Sequence, residues 1–184
     1  IFGLKRIDEG SITFLGKPYE APAPYKSLRR GIGMLAKDRK HSLLLHMPIY
    51  CNIALSNAYD FVRFKIVRLQ KKERTESEIY AKKLRLKAAS VQHLASSLSG
   101  GNQQKVVISR LLCAKCKLFI MDDPTRGIDV GAKIDVYNAI NELTAEGNSV
   151  ILISSQLPEL LGISDRILVA RDGTIAGEFD ARSC

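Results

Sequence analysis

The sequence predicts an α/β fold in which a mostly parallel sheet is flanked by helices and interrupted by a helical insertion. Three observations carry that prediction. From residue 98 onward, short apolar runs alternate with helical stretches across short connections, the pattern of buried strands joined by crossover helices. Before them, a long stretch from Asn52 to about Ala89 has a helical pattern and is strongly basic in its later part. The 184 residues are 46% hydrophobic and 26% charged, enough apolar material for one ordinary domain core and too much for wholesale disorder.

The elements follow in order. Ile12 and Phe14 alternate with polar neighbours before the turn Leu15-Gly16-Lys17-Pro18, so Ser11 to Leu15 is expected as a strand. Pro22 and Pro24 lead into a short helix, Tyr25 to Arg30, stopped by Gly31; Ile32 to Leu35 is a second apolar run. Between Arg63 and Lys87, ten Lys or Arg face Glu73, Glu76 and Glu78, so a net +7 of the chain's +9 sits in one helical segment. That segment is either a solvated helix face or a surface turned to acidic partner loops or lipid head groups. Lys117 to Met121 is expected as a buried parallel strand. Val136, Ile140 and Leu143 then recur at helical spacing on a helix that Asp129 can cap and Gly147 can end. Val150 to Ile153 reads as another buried strand, and Asp172-Gly173 as the turn of a hairpin between Arg166–Ala170 and Thr174–Phe179.

Several classes of function are excluded early. Four cysteines (Cys51, Cys113, Cys116, Cys184) in a chain of this length make no disulfide scaffold. Cys113-Ala114-Lys115-Cys116 has a metal or redox spacing, but it lacks a second pair and falls at a helix end before a strand, so packing is expected. His41, His46 and His93 are scattered without a carboxylate pattern. The longest uncharged run, His41 to Tyr59, is too polar to span a bilayer. The opening Ile1-Phe2-Gly3 has neither an initiator Met nor the build of a signal peptide, and reads like the interior of a longer protein.

The most informative stretch is Leu98-Ser99-Gly100-Gly101-Asn102-Gln103-Gln104-Lys105, followed by the helical run Val106 to Leu112. Two glycines before a helix let backbone N–H groups approach an anion with no Cβ in the way. The helix N-terminus adds unpaired donors and partial positive charge. Ser99 supplies a hydroxyl and Lys105 a nearby cation. Twenty-three residues beyond Ser99, Asp122 ends the apolar strand Leu118-Phe119-Ile120-Met121, where parallel sheets bind ligands and where a carboxylate can hold Mg²⁺ through water. Asp123 is placed to orient an attacking water, and Pro124 to Asp129 forms a tight turn.

Together these residues resemble the ATP-binding-cassette family. Leu98 to Gln103 is similar to its signature loop, Leu118 to Asp123 to its Walker B strand, and Gly127 to Asp129 to its D-loop. The strings Leu98 to Val106 and Asp122 to Lys133 resemble the ATPase subunits of bacterial carbohydrate importers of the ribose, galactose and xylose type, and Lys37-Asp38-Arg39-Lys40 resembles a Glu-Asp-Arg-Lys string of that branch. The resemblance implies a RecA-like nucleotide-binding fold, N-terminally truncated, with residues 1–37 and 115–184 as α/β core and 38–114 as a helical signature subdomain. It implies ATP and Mg²⁺ as cofactors. Leu98, Ser99, Gly100, Gly101, Asn102, Gln103, Lys37 and Asp129 would serve the nucleotide, Asp122 the metal, and Asp123 and Ser155 the catalytic positions. The implied partners are a second cassette in the same or another chain, transmembrane permease subunits and, indirectly, a periplasmic sugar-binding protein, at the cytoplasmic face of the membrane. Nucleic acid is not among them: repair-type relatives need a long coiled coil before the signature, and only Asp38 to Ser97 intervenes here, without heptads.

The departures from the family pattern are as informative. No GxxxxGK[ST] string occurs, and by that pattern the chain starts just after the Walker A helix. Asp123 stands where a catalytic Glu is expected, Ser155 where the switch His would be, and Lys37 at the glutamine-loop position, and by the family pattern one residue is deleted around His41-Ser42. Groups serving hydrolysis in cis are altered, while the loop serving a partner's site is intact. The resulting expectation is a composite ATP site completed by Ser99, Gly100 and Gly101. The alternative is a non-catalytic interaction or regulatory module with no ATPase activity of its own.

Overall fold

The computed structural model describes residues 1–20, 23–38, 42–63 and 67–181. Pro22, Arg39, Lys40, His41 and Cys184, each named above, lie outside the described residues. The expected strand at 11–15 shrinks to β1 (Thr13–Phe14), paired antiparallel with β2 (Lys17–Pro18). Leu15 and Gly16 take left-handed φ values of 50° and 73° and turn the chain back at once. Helix α1 (Pro24–Arg29) opens on proline and stops before Gly31, whose φ of 89° ends it. The Gly31 carbonyl accepts from the Lys117 and Leu118 N–H groups, which sets the register of the following β3 (Ile32–Leu35).

The middle is not one helical run. Helix α2 (Ile49–Ala54) passes into a 3₁₀ stretch, Leu55–Phe61, in which Asn57 leaves helical geometry. A short hairpin of β4 (Val62–Arg63) and β5 (Val67–Arg68) follows, and only then α3 (Gln70–Lys83). β-branched Val62 favours extended backbone, and Phe61, the last residue of the 3₁₀ stretch, is buried with its carbonyl accepting from Leu69 N–H at 2.7 Å. Packing therefore overrides the helical pattern. Helix α4 (Gly100–Cys113) lies against α2 and α3 through Val106, Ile108 and Leu111.

The C-terminal part follows the expected order: β6 (Leu118–Asp122), α5 (Val130–Ala145), β7 (Ser149–Ile153), α6 (Leu157–Ile163) and the hairpin of β8 (Arg166–Arg171) with β9 (Thr174–Asp180). The parallel sheet has strand order β3-β6-β7. One apolar core runs from Leu35, Phe119 and Met121 of the sheet to Val136, Ile140 and Leu143 of α5 and on into α2 to α4. Each such side chain contributes about 1.5–3 kcal/mol by leaving water. The expectation that β7 is a buried strand is corrected: among the described residues it pairs only with β6, and Ile151 and Ile153 remain 38% and 49% exposed.

The basic segment also has a finer arrangement than either reading of it. Lys83 pairs with Glu146, Arg85 with Glu142 at 3.4 Å and Lys87 with Asp135 at 3.9 Å, so residues 83–87 face acids along α5 of the same chain. These exposed pairs contribute about 0–1 kcal/mol each. Cys113 and Cys116 are buried, and burial pushes both thiols up to about 12. They pack as neutral side chains, Cys116 against Gly33. Among the described residues, no helix is long and apolar enough to cross a membrane.

Candidate functional site

The signature-like turn is held through Leu98, Asn102 and Gln103. Leu98 is buried, and the Gln103 side-chain amide donates to its carbonyl at 3.2 Å. Ser99 takes the N-cap position of α4 with extended backbone, yet its hydroxyl makes no capping bond. Instead it accepts from Asn102 Nδ2 at 2.9 Å and stays exposed, while Asn102 Oδ1 accepts from the Lys87 N–H at 2.8 Å. Helix α4 thus presents an exposed hydroxyl and free N-terminal donors on a held backbone, the combination that suits an anion.

Two parts of that turn do something the sequence did not disclose. A Cβ on Gly101 would sit 2.5 Å from the Ala132 Cβ, so glycine there is required for the close approach of α4 to α5 within the chain. Lys105 is buried, its ammonium 3.2 Å from Asp135 and 3.3 Å from the Arg85 carbonyl, so it is an internal ion-pair partner instead of a cation offered to a ligand. Gly101→Ala should cost about 1–3 kcal/mol through overpacking. Adding Ala132→Gly should recover part of that cost, so the double variant is more stable in urea than the two single changes sum to.

A second group gathers at the C-terminal ends of the three parallel strands. Asp122 ends β6 and is half-buried. Asp123 follows with a left-handed φ of 44°, which Asp tolerates, and its N–H donates to the Ile153 carbonyl at 2.8 Å. Its Oδ2 lies 2.8 Å from the Lys37 ammonium just past β3, and its Oδ1 accepts from the Ser155 N–H just past β7 at 3.3 Å. The structure therefore unites Lys37, Asp123 and Ser155, which are far apart in sequence. The Lys37 ammonium holds the Asp123 carboxyl below the usual carboxylate range, and the Ser155 N–H adds to this against the opposing effect of partial burial. Asp129 caps α5, accepting from the Ala132 N–H at 2.9 Å.

Sequence reading missed one cluster altogether. Glu159, in the first turn of α6, is buried, and its carboxylate accepts from the Thr125 hydroxyl at 2.8 Å, the Lys133 ammonium at 2.8 Å and the Ser154 hydroxyl at 3.0 Å. Tyr137 hydrogen-bonds to it as well, and burial followed by that bond pushes the Tyr137 phenol up to about 12. Burial raises the Glu159 carboxyl, but the hydrogen bonds from Lys133, Tyr137, Thr125 and Ser154 outweigh it and hold the group at about 2 against an ordinary 4.5. No local signal links Thr125 to Glu159, because 34 positions separate them. A carboxyl depressed on folding stabilises above its unfolded value and loses that contribution as pH falls toward its folded value. Glu159 should therefore supply about 3 kcal/mol at neutral pH, lost between about pH 4.5 and 2. Urea denaturation of the native chain and Glu159→Gln should show a stability gap at pH 7 that closes toward pH 2.

For Mg²⁺ the donor set is modest. Among the described residues, no group of three or more His, Cys, Asp or Glu side chains converges. The lone strand-end carboxylate of Asp122 suits an ion that takes one or two carboxylates and completes its shell with water and phosphate oxygens.

The chain is similar in sequence and fold to known proteins. Ribose import ATP-binding protein RbsA of Bacillus subtilis is 43% identical over 183 residues, 99% of this chain and 37% of that protein. Xylose import ATP-binding protein XylG of Thermoanaerobacter pseudethanolicus is 46% identical over 181 residues, 97% of this chain and 36% of that protein. The chain thus spans little more than a third of the length of the curated relatives it matches. Among solved structures, a nucleotide-free ATP-binding cassette from an ABC transporter superposes with a TM-score of 0.81 at 24% identity, covering 98% of this chain and 73% of that one. A dimeric post-hydrolysis cassette bound to ADP and Pi gives 0.79 at 20% identity, covering 99% and 78%. The fold is that of these cassettes. The model of the ABC transporter family matches residues 1–126, which include the turn at the head of α4, Asp122 at the end of β6 and Asp123 after it, and the chain belongs to that family.

Proposed function

We propose that this chain is part of the ATP-hydrolysing subunit of a carbohydrate importer, and that its main contribution is to present Ser99, Gly100 and Gly101 to the terminal phosphate of ATP held by a second cassette. The observation that carries this reading is the exposed Ser99 hydroxyl, free of capping, on a helix start held through Leu98, Asn102 and Gln103. Relatives named as ribose and xylose import proteins, matched over nearly the whole chain, support the substrate class. The helix N-terminus and hydroxyl stabilise charge on the phosphate as water attacks in line. Asp122 would hold Mg²⁺, which when bound neutralises charge on the phosphate oxygens. Residues 1–37 and 115–184 form the α/β core of this reading, and 38–114 the helical part that carries the turn. The work is done with permease subunits, at the cytoplasmic face of the membrane.

The test is a structure of the assembled transporter trapped with a non-hydrolysable ATP analogue. Ser99 Oγ and the N–H groups of the turn should lie about 3 Å from γ-phosphate oxygens. A turn beyond hydrogen-bond reach of any phosphate would overturn the reading. One observation favours a narrower role for the chain's own strand edge: both Asp123 oxygens are already engaged, by Lys37 and by the Ser155 N–H. In that role the chain would complete a partner's site without serving as base for its own.

A further inference from the structure

Glu159 belongs to none of the motifs that point to nucleotide chemistry, yet it gathers three separate segments of the site. Its carboxylate takes the Thr125 hydroxyl from the turn after β6, the Ser154 hydroxyl from the loop after β7 and the Lys133 ammonium from the first turn of α5. Lys133 bonds Gln156 of the same loop at 2.9 Å. Thr125 is 1% exposed and Glu159 8%, so water does not readily replace these partners. Lys133 adjoins Ala132, the residue that abuts Gly101. A continuous set of contacts thus runs from the loop carrying Ser155, through Glu159 and Lys133, to Gly101, two residues from Ser99.

We propose that Glu159 is a positioning residue which, by holding Lys133 and the start of α5 against Gly101, fixes the signature-like turn relative to the strand-end loops. This rests on the reading of that turn given above. The carboxylate touches no reacting atom; it sets where the turn stands. Released from it, the first turn of α5 loses its tie to the Thr125 turn, and the Lys133–Gln156 bond is left to hold it toward α6. A displacement of about 1 Å at a reacting centre costs up to about 100-fold in rate.

The experiment uses the full-length protein in its assembled transporter, with Glu159→Gln, Lys133→Met and Ser99→Arg made separately. ATP turnover is measured for kcat and KM, and thermal denaturation gives the folded fraction. Both Glu159→Gln and Lys133→Met should lower kcat about 10- to 100-fold per folded molecule, with KM for ATP within about 2-fold. A merely structural role would lower the melting temperature and leave kcat per folded molecule unchanged, and that result overturns the proposal. Should Glu159→Gln fail to fold, the partly exposed Lys133 decides through its own kcat. Normal kcat in these variants beside an inactive Ser99→Arg sinks only the positioning role. An active Ser99→Arg sinks the reading of the turn, and this inference with it.

Discussion

Ser99→Arg should abolish ATP hydrolysis by the assembled transporter, with a loss of at least about 100-fold in kcat, the scale set by removing one preorganised donor from a developing oxyanion. Ser99 is exposed and its hydroxyl is free of capping duty, so the substitution removes an exposed group while sparing the core. The structural loss is one bond from Asn102, worth about 1 kcal/mol, and the variant should fold. The guanidinium would occupy the space at the helix N-terminus that a phosphate needs. Asp123→Ala should do much less, because that carboxylate is already bound to Lys37 and to the Ser155 N–H. Steady-state turnover of the two purified variants decides the matter: equal losses would refute the asymmetric assignment.

What the sequence disclosed was what nearby residues determine. The β8–β9 hairpin followed from Asp172-Gly173, the cap of α5 from Asp129, and β3 from a four-residue apolar run before any contact was known. What it concealed depends on residues far apart along the chain. The hairpin at 62–68 broke a helical-looking run because Phe61 turns into the core. The basic residues 83–87 found their acids on α5, some fifty to sixty positions away. Gly101 looked like a phosphate-docking glycine, and Ala132 at its Cβ position gives a second, internal reason for glycine there. Lys105 looked like a cation for a ligand, and Asp135 holds it. Spacing identified the residue types of the turn and the strand edge; only packing distinguished the exposed Ser99 from its internally committed neighbours.

Arg110→Met should destabilise the fold by about 3 kcal/mol, the scale of leaving buried acceptors without their charged donor. Arg110 lies on α4, 8% exposed, with Nε donating to the Asn52 carbonyl at 2.7 Å, Nη1 to the Ser42 carbonyl at 2.6 Å and Nη2 to Asn52 Oδ1 at 3.3 Å. These three partners are neutral oxygens, and burial pulls the guanidinium down to about 10, so it stays charged at neutral pH. Asn52, fully buried, also accepts from the Leu44 N–H and donates to the Leu44 carbonyl; the Arg110–Asn52 pair therefore ties α4 to α2 and to the segment after β3. Methionine preserves the length and apolar stem but offers no donor, leaving the Ser42 and Asn52 carbonyls without their charged partner. Relief of the desolvation cost of the buried cation offsets part of this loss, which is why the expected cost stays near 3 kcal/mol instead of the sum of three charged hydrogen bonds. For a chain of this size that is a fall of about 6–12 °C in melting temperature. Arg110→Lys keeps the charge and at most one of the three bonds, and should fall between the two. A methionine variant melting within about 1 °C of the native protein would mean that the desolvation cost cancels the bonds entirely, and that α4 is held in place by its apolar face alone.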